Sequence, residues 1–260
     1  MSWLLLVPHL QLYGGLYRFL YMARELESIG QEVIIGVKDF EGAIGVVEAF
    51  IERHRLTVVS STNVKRTFFD VVAAGDASTT LSRSIRNFKA PYYVTFELAG
   101  GETYRREHAR IARRAKPDLT IAVSSSIYAD SSTASTLIPG GVDLRLFRPR
   151  VEMGKMGGEL NLVAHYGRGK PFKGFSHALD LAANLRNHGI DLRLHVVSSL
   201  PLPDLQLTWV EPHIAVTREE LALLLARCDA AVAFESRPGW GNFSAEAVAA
   251  GAFLFGNGVN

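Results

Sequence analysis

Three groups of residues in this chain have types and spacing that could do chemistry. The first runs from Arg237 to Gly251. Gly239 and Gly241 let backbone approach a ligand closely, and the alanine-rich segment opening near Asn242 or Phe243 reads as a helix whose first-turn N–H groups favour an anion. Glu246, one turn further, could accept hydrogen bonds from ribose or sugar hydroxyls. The same pattern also suits an ordinary turn between strand and helix. The second group is the loop Gly167-Arg-Gly-Lys-Pro-Phe-Lys-Gly174. There the Arg168 fork binds two oxygens, and Lys170 and Lys173 supply compact charges, so the loop could grip a diphosphate or simply be solvated. The third is Gly14 and Gly15 after the first apolar run, with Glu97 at the end of another. Glu97 is either an acceptor-side carboxylate or a solvated loop residue.

Two familiar phosphate motifs are missing. No Gly-Lys-Ser/Thr closes the 167–174 loop as a Walker A motif would, and no G-x-G-x-x-G occurs, which argues against a dinucleotide dehydrogenase. His195 sits between leucine and valine and reads as a satisfied core histidine.

These residues need a scaffold, and the hydrophobic pattern supplies one. Apolar runs at 3–7, 32–37, 56–60, 91–97, 118–123, 135–138, 160–166, 191–197, 207–210 and 230–234 read as strands, with further short apolar runs at 67–73 and 252–255. Helical patterns at 16–29, 41–54, 79–88, 102–116, 175–187 and 217–227 alternate with them, with Ser124 to Ser126 as a further helix cap. Such alternation argues for right-handed βαβ units and parallel sheets. The glycines and prolines of 138–149 break regular structure and read as a linker, giving domains 1–148 and 149–260.

Composition narrows the partners. With 48% hydrophobic residues the chain can bury a full core, and 28 basic against 26 acidic side chains give +2, too little to demand a polyanion. One cysteine, Cys228, excludes an intramolecular disulfide and a cysteine zinc site, and fits a reducing compartment. Its neighbours suggest a buried thiol at a helix end. No run approaches the roughly 20 apolar residues of a membrane span, so a cytoplasmic protein is expected. The helix at 102–116 carries Arg105, Arg106, Arg110, Arg113 and Arg114 on one face, with Tyr104, His108, Ile111 and Ala115 opposite. That face is either solvated or a peripheral contact for an anionic membrane through Arg106, Arg110, Arg113 and Arg114. Near-neutral charge and the lack of exposed aromatics there argue against nucleic acid.

Taken together, the chain resembles the family 4 glycosyltransferases of the GT-B fold. The resemblance rests on Gly14-Gly15 with Arg18, on Pro139-Gly-Gly-Val-Asp-Leu-Arg-Leu-Phe-Arg-Pro149, on Gly167-Arg168 with Lys173-Gly174, and on Gly239-Trp240-Gly241 leading to Glu246 and Gly251. It implies an α/β chain of two Rossmann-like domains with parallel sheets facing a cleft. It further implies retaining transfer of a sugar from a nucleotide-diphosphate donor to a hydroxyl acceptor on a glycan or lipid, with no metal and no cofactor. Arg168 and Lys173 would stabilise the departing diphosphate, with Glu97 the third catalytic candidate. Gly14, Gly15, Gly239, Trp240, Gly241, Asn242 and Glu246 would line the donor. The family's paired glutamates are eight apart, which here reaches Pro238, so Glu235 becomes the candidate sugar contact. A histidine usual at the end of the 91–96 strand is replaced by Glu97. The family continues beyond the position of Asn260, so the second domain reads as incomplete, with a second copy of the chain as a candidate to complete it. These departures keep open a non-catalytic nucleotide-sugar-binding partner subunit.

Overall fold

The computed structural model describes residues 1–11, 14–40, 45–75, 79, 85, 87–151, 154, 156, 158–236 and 239–257, with Gly14 and Arg168 described by backbone alone. The chain forms two compact units. One is Met1–Gly140 with a short later segment containing Gly239 and Trp240; the other is the remainder.

In the first unit the strands are β1 (Ser2–His9), β2 (Glu32–Asp39), β3 (Val58–Ser60), β4 (Val71–Ala74), β5 (Tyr92–Glu97), β6 (Leu119–Ala122) and β7 (Thr136–Leu137). They form one sheet in the order β3-β2-β1-β4-β5-β6-β7, and every pair is parallel. The helices are α1 (Gly14–Ser28), α2 (Gly45–Arg53), α3 (Glu102–Ala115) and α4 (Ser125–Asp130). Because helices cover both faces, β1 reads as an unbroken apolar run. Leu5 and Val7 pack into one core with Leu16, Leu20 and Phe50 of α1 and α2. Leu4 and Leu6 point the other way, toward Phe69, Ile85 and Phe88. Ser124 caps α4 as its sequence position predicts, its Oγ accepting from the Ile127 N–H at 3.3 Å. The helix expected at 79–88 lies mostly outside the described residues.

The second unit holds β8 (Leu160–His165), β9 (Leu192–Ser198), β10 (Val210–Ile214), β11 (Ala230–Ala233) and β12 (Phe253–Gly256), with α5 (Phe175–Asn187), α6 (Arg218–Arg227) and α7 (Asn242–Ala249). The sheet order is β10-β9-β8-β11-β12, again parallel throughout. Leu162, Leu194 and Val196 pack under α5, while Val163, Val197 and Ala231 pack under α6 and α7. Cys228 is fully buried at the end of α6. Thr217 and Glu220 form a reciprocal capping box at its start. One strand falls away from its expected place: β10 occupies 210–214 rather than 207–210. Pro212 tells against a strand, yet β10 is the sheet edge, where a missing N–H is tolerated.

Both sheets are two half-sheets wound in opposite directions from a central strand. The direction reverses between β1 and β4 in the first unit and between β8 and β11 in the second. Open α/β folds bind ligands outside the C-terminal strand ends at such points.

Candidate functional site

In the second unit, the loops leaving β8 and β11 rise side by side because Ala164 pairs with Val232 in register. After β8 the chain makes two tight 3-10 turns, Gly167–Gly169 and Pro171–Lys173. Gly174 ends the second at φ +72°, and a Cβ there would lie 2.0 Å from the Phe234 carbonyl oxygen. That position admits only glycine. Gly174→Ala is expected to cost about 3 kcal/mol or more of stability by urea denaturation; a loss below about 1 kcal/mol would mean the loop seats differently.

This packing delivers Lys173 to Glu235. Nζ donates to Oε2 at 2.9 Å, with the two side chains 30% and 12% exposed. Two candidates separated by 62 residues are thereby brought together. His165, at the end of β8, stacks on Phe243 in the first turn of α7, ring centroids 5.8 Å apart. Burial, reinforced by the Lys173 charge, lowers its pKa to about 4, so the imidazole is neutral at pH 7.

Glu246 is buried on α7. Arg218 donates to both its oxygens, Nη2 to Oε1 at 2.5 Å and Nη1 to Oε2 at 3.1 Å. Burial pushes Glu246 above its ordinary pKa, and Arg218 pulls it part of the way back. Each oxygen keeps a further lone pair for another donor. No side chain among the described residues caps the start of α7, so its first N–H groups keep the capacity to meet an anion. Gly239 and Trp240 belong to the first unit instead. Gly239 bridges Ala99 in antiparallel fashion. The Trp240 indole packs so closely on Gly140 that a Cβ there would meet it at 2.1 Å. The Arg168 side chain and Pro238 lie outside the described residues.

In the first unit Gly14 and Gly15 open α1. Burial lowers the pKa of Arg18 to about 10, leaving it charged at neutral pH. Glu97 is not the solvated loop residue of the alternative reading: it ends β5 only 2% exposed. Thr133 Oγ1 donates to its Oε1. Oε2 is buried without a hydrogen bond, with His108 Nδ1 3.5 Å away. A small recess over the carboxylate is lined by Glu97, Gly100, Gly101, Arg105, His108 and Thr133. Burial lowers the pKa of His108 against the opposing pull of Glu97 and Glu107. On the exposed face of α3, Arg106 pairs with Glu102 and Arg110 with Glu107.

No protein-family model and no curated protein matches the chain by sequence. Solved structures do match it by shape. Sucrose-phosphate synthase from Thermosynechococcus elongatus aligns over 100% of this chain and 82% of its own, with TM-score 0.70 and 15% identity. TarM aligns over 98% and 84%, with TM-score 0.73 and 9% identity. The fold is that of the GT-B glycosyltransferases. A third GT-B neighbour, an α-glucosyltransferase in complex with UDP, aligns over 98% of this chain and 80% of its own, with TM-score 0.67 and 11% identity.

Sequence reasoning missed Arg218, His165, Thr133 and the role of His108 beside Glu97. The amphipathic pattern of α3 did place His108 on the inward face. Arg218 left no signal, since its partner lies 28 residues away on another helix.

Proposed function

We propose that the chain transfers a sugar from a nucleotide-diphosphate donor to a hydroxyl acceptor, with retention and without a metal. The observation that carries this reading is the cation Lys173, held by Glu235 at the switch point of a GT-B second unit. A diphosphate carries more charge than one carboxylate, so on donor binding Lys173 turns from Glu235 toward the phosphates. Glu235 is then free to accept hydrogen bonds from the donor sugar. Arg168 and the first N–H groups of α7 add positive potential for the leaving diphosphate, and Glu246, oriented by Arg218, accepts from the ribose. Glu97 serves the acceptor, its free Oε2 receiving the hydroxyl. The GT-B α-glucosyltransferase above is in complex with UDP, which makes UDP the first nucleotide to try.

A non-catalytic nucleotide-sugar-binding role is favoured by one observation: both candidate donor-site carboxylates, Glu235 and Glu246, are engaged by cations. Calorimetric titration with UDP, GDP and dTDP in metal-free buffer, on wild type and Arg168→Ala, tests the donor site. Binding of one nucleotide, weakened at least tenfold in the variant, is the expected result. Absence of binding by all three would overturn it. Binding without sugar transfer to any acceptor would favour the non-catalytic role.

A further inference from the structure

The edge of the second sheet carries a cluster outside the donor residues. Glu211 on β10 pairs in register with His195 on β9, and His213 follows two residues later. Alternation along the strands therefore sets His195, Glu211 and His213 on one face. His195 is 2% exposed, whereas the side chains of His213 and Glu211 are 22% and 45% exposed.

Hydrogen bonds fix the state of His195. The Asn161 amide donates from Nδ2 to the carbonyls of Met156 and Glu159 at 3.2 and 2.8 Å. Its Oδ1 is therefore the atom facing His195 Nε2 at 3.1 Å, and Nε2 must carry the proton. With its proton on Nε2, the neutral ring presents a bare lone pair at Nδ1. That lone pair points at His213 Nε2, 3.0 Å away. The Glu211 carboxylate completes the triangle, one oxygen 3.7 Å from His195 Nδ1 and the other 3.6 Å from His213 Nε2.

The two nitrogens are close to the roughly 3.3 Å between neighbouring ligands of a tetrahedral Zn²⁺ with Zn–N bonds of about 2.05 Å, and one Glu211 oxygen lies within 4.8 Å of both, a gap that a small side-chain rotation closes. A histidine whose second nitrogen is tied to a fixed acceptor is how proteins orient metal ligands. The charge balance is also favourable. Arg193 reaches Glu159 at 2.7 Å and Glu211 at 3.5 Å, so two carboxylates face one guanidinium, and the cluster is one unit negative with both imidazoles neutral.

We propose that His195, Glu211 and His213 bind Zn²⁺, with Asn161 as the positioning residue and water in the fourth position. On binding, His213 Nε2 gives up its proton to solvent and coordinates, while Nδ1 takes one up, so the ring stays neutral. The ion clips the edge strand β10 to its one neighbour, β9. The partial exposure of Glu211 and His213 gives the ion its entry path.

The test uses the full chain without a histidine tag, stripped with EDTA and dialysed against Zn²⁺, with bound metal counted by elemental analysis. Wild type is expected to retain one equivalent, to melt at higher temperature with Zn²⁺ than without, and to give visible bands with Co²⁺. His213→Gln and Glu211→Gln should each weaken Zn²⁺ at least tenfold and abolish the thermal shift. Either variant suffices, and an unchanged metal-free melting temperature shows that it is folded. Failure of wild type to retain zinc would overturn the proposal and leave a hydrogen-bonded histidine pair. Equal retention by wild type and both variants would overturn it too, placing the ion elsewhere. Neither result bears on nucleotide binding.

Discussion

On the proposed function, Lys173→Ala is expected to lower kcat for sugar transfer by about 10²-fold, the scale of removing one charge from a developing anion. Lys173 is only 30% exposed and its Nζ is held at 2.9 Å by Glu235, so the charge already stands in the loop from which it turns to the donor. If the charge acts chiefly on the departing diphosphate, kcat and kcat/KM fall together and KM moves little. Lys173→Arg keeps the charge and should recover part of the rate. The substitution also strands Glu235, so the thermal stability of Lys173→Ala, compared with wild type, separates structural damage from lost charge. If damage to the loop were the cause, the rate loss would come with a lowered melting temperature. Unchanged turnover in Lys173→Ala sinks the catalytic assignment.

Arg218→Ala is expected to destabilise the fold by about 3–5 kcal/mol, because it leaves a buried carboxylate without its counter-charge. Glu246 is 5% exposed and both of its oxygens rely on Arg218. Adding Glu246→Gln should restore a large part of the loss, since an amide needs no cation. The sign of the pH dependence follows from the raised pKa of Glu246. The folded protein holds a proton that the unfolded chain releases first, so this group's contribution to stability falls as pH rises through that window. Removing Arg218 extends the window upward. The gap between variant and wild type should therefore be smallest in mild acid and widest near neutrality. Urea denaturation across pH checks both; a gap below about 1 kcal/mol at pH 7 would show that Glu246 is solvated or protonated.

How far the sequence could be read depended on whether a feature was local. Helix α5 at Phe175–Asn187 agreed end to end with its pattern, because its apolar spacing and Gly189, at φ +82°, lie within one segment. Strand β10 was displaced because its pattern is weak and its single proline is acceptable only at an edge. Glu97 had two readings for a similar reason: the pattern of β5 ends at a carboxylate, and nothing local says whether α3 and Thr133 close over it.

By itself, the sequence determined an α/β chain of parallel sheets, the strand ends that carry Lys173 and Glu97, and the glycines that let the loops turn. These follow from periodicity and backbone freedom, which act over a few residues. Tertiary structure alone decided the pairings: Lys173 with Glu235, Arg218 with Glu246, and His195 with His213. Each joins side chains 18 to 62 residues apart, and two of them depend on which strands are neighbours. Sheet order and register are settled by the packing of the whole core, and a run of apolar residues carries no label for its neighbour.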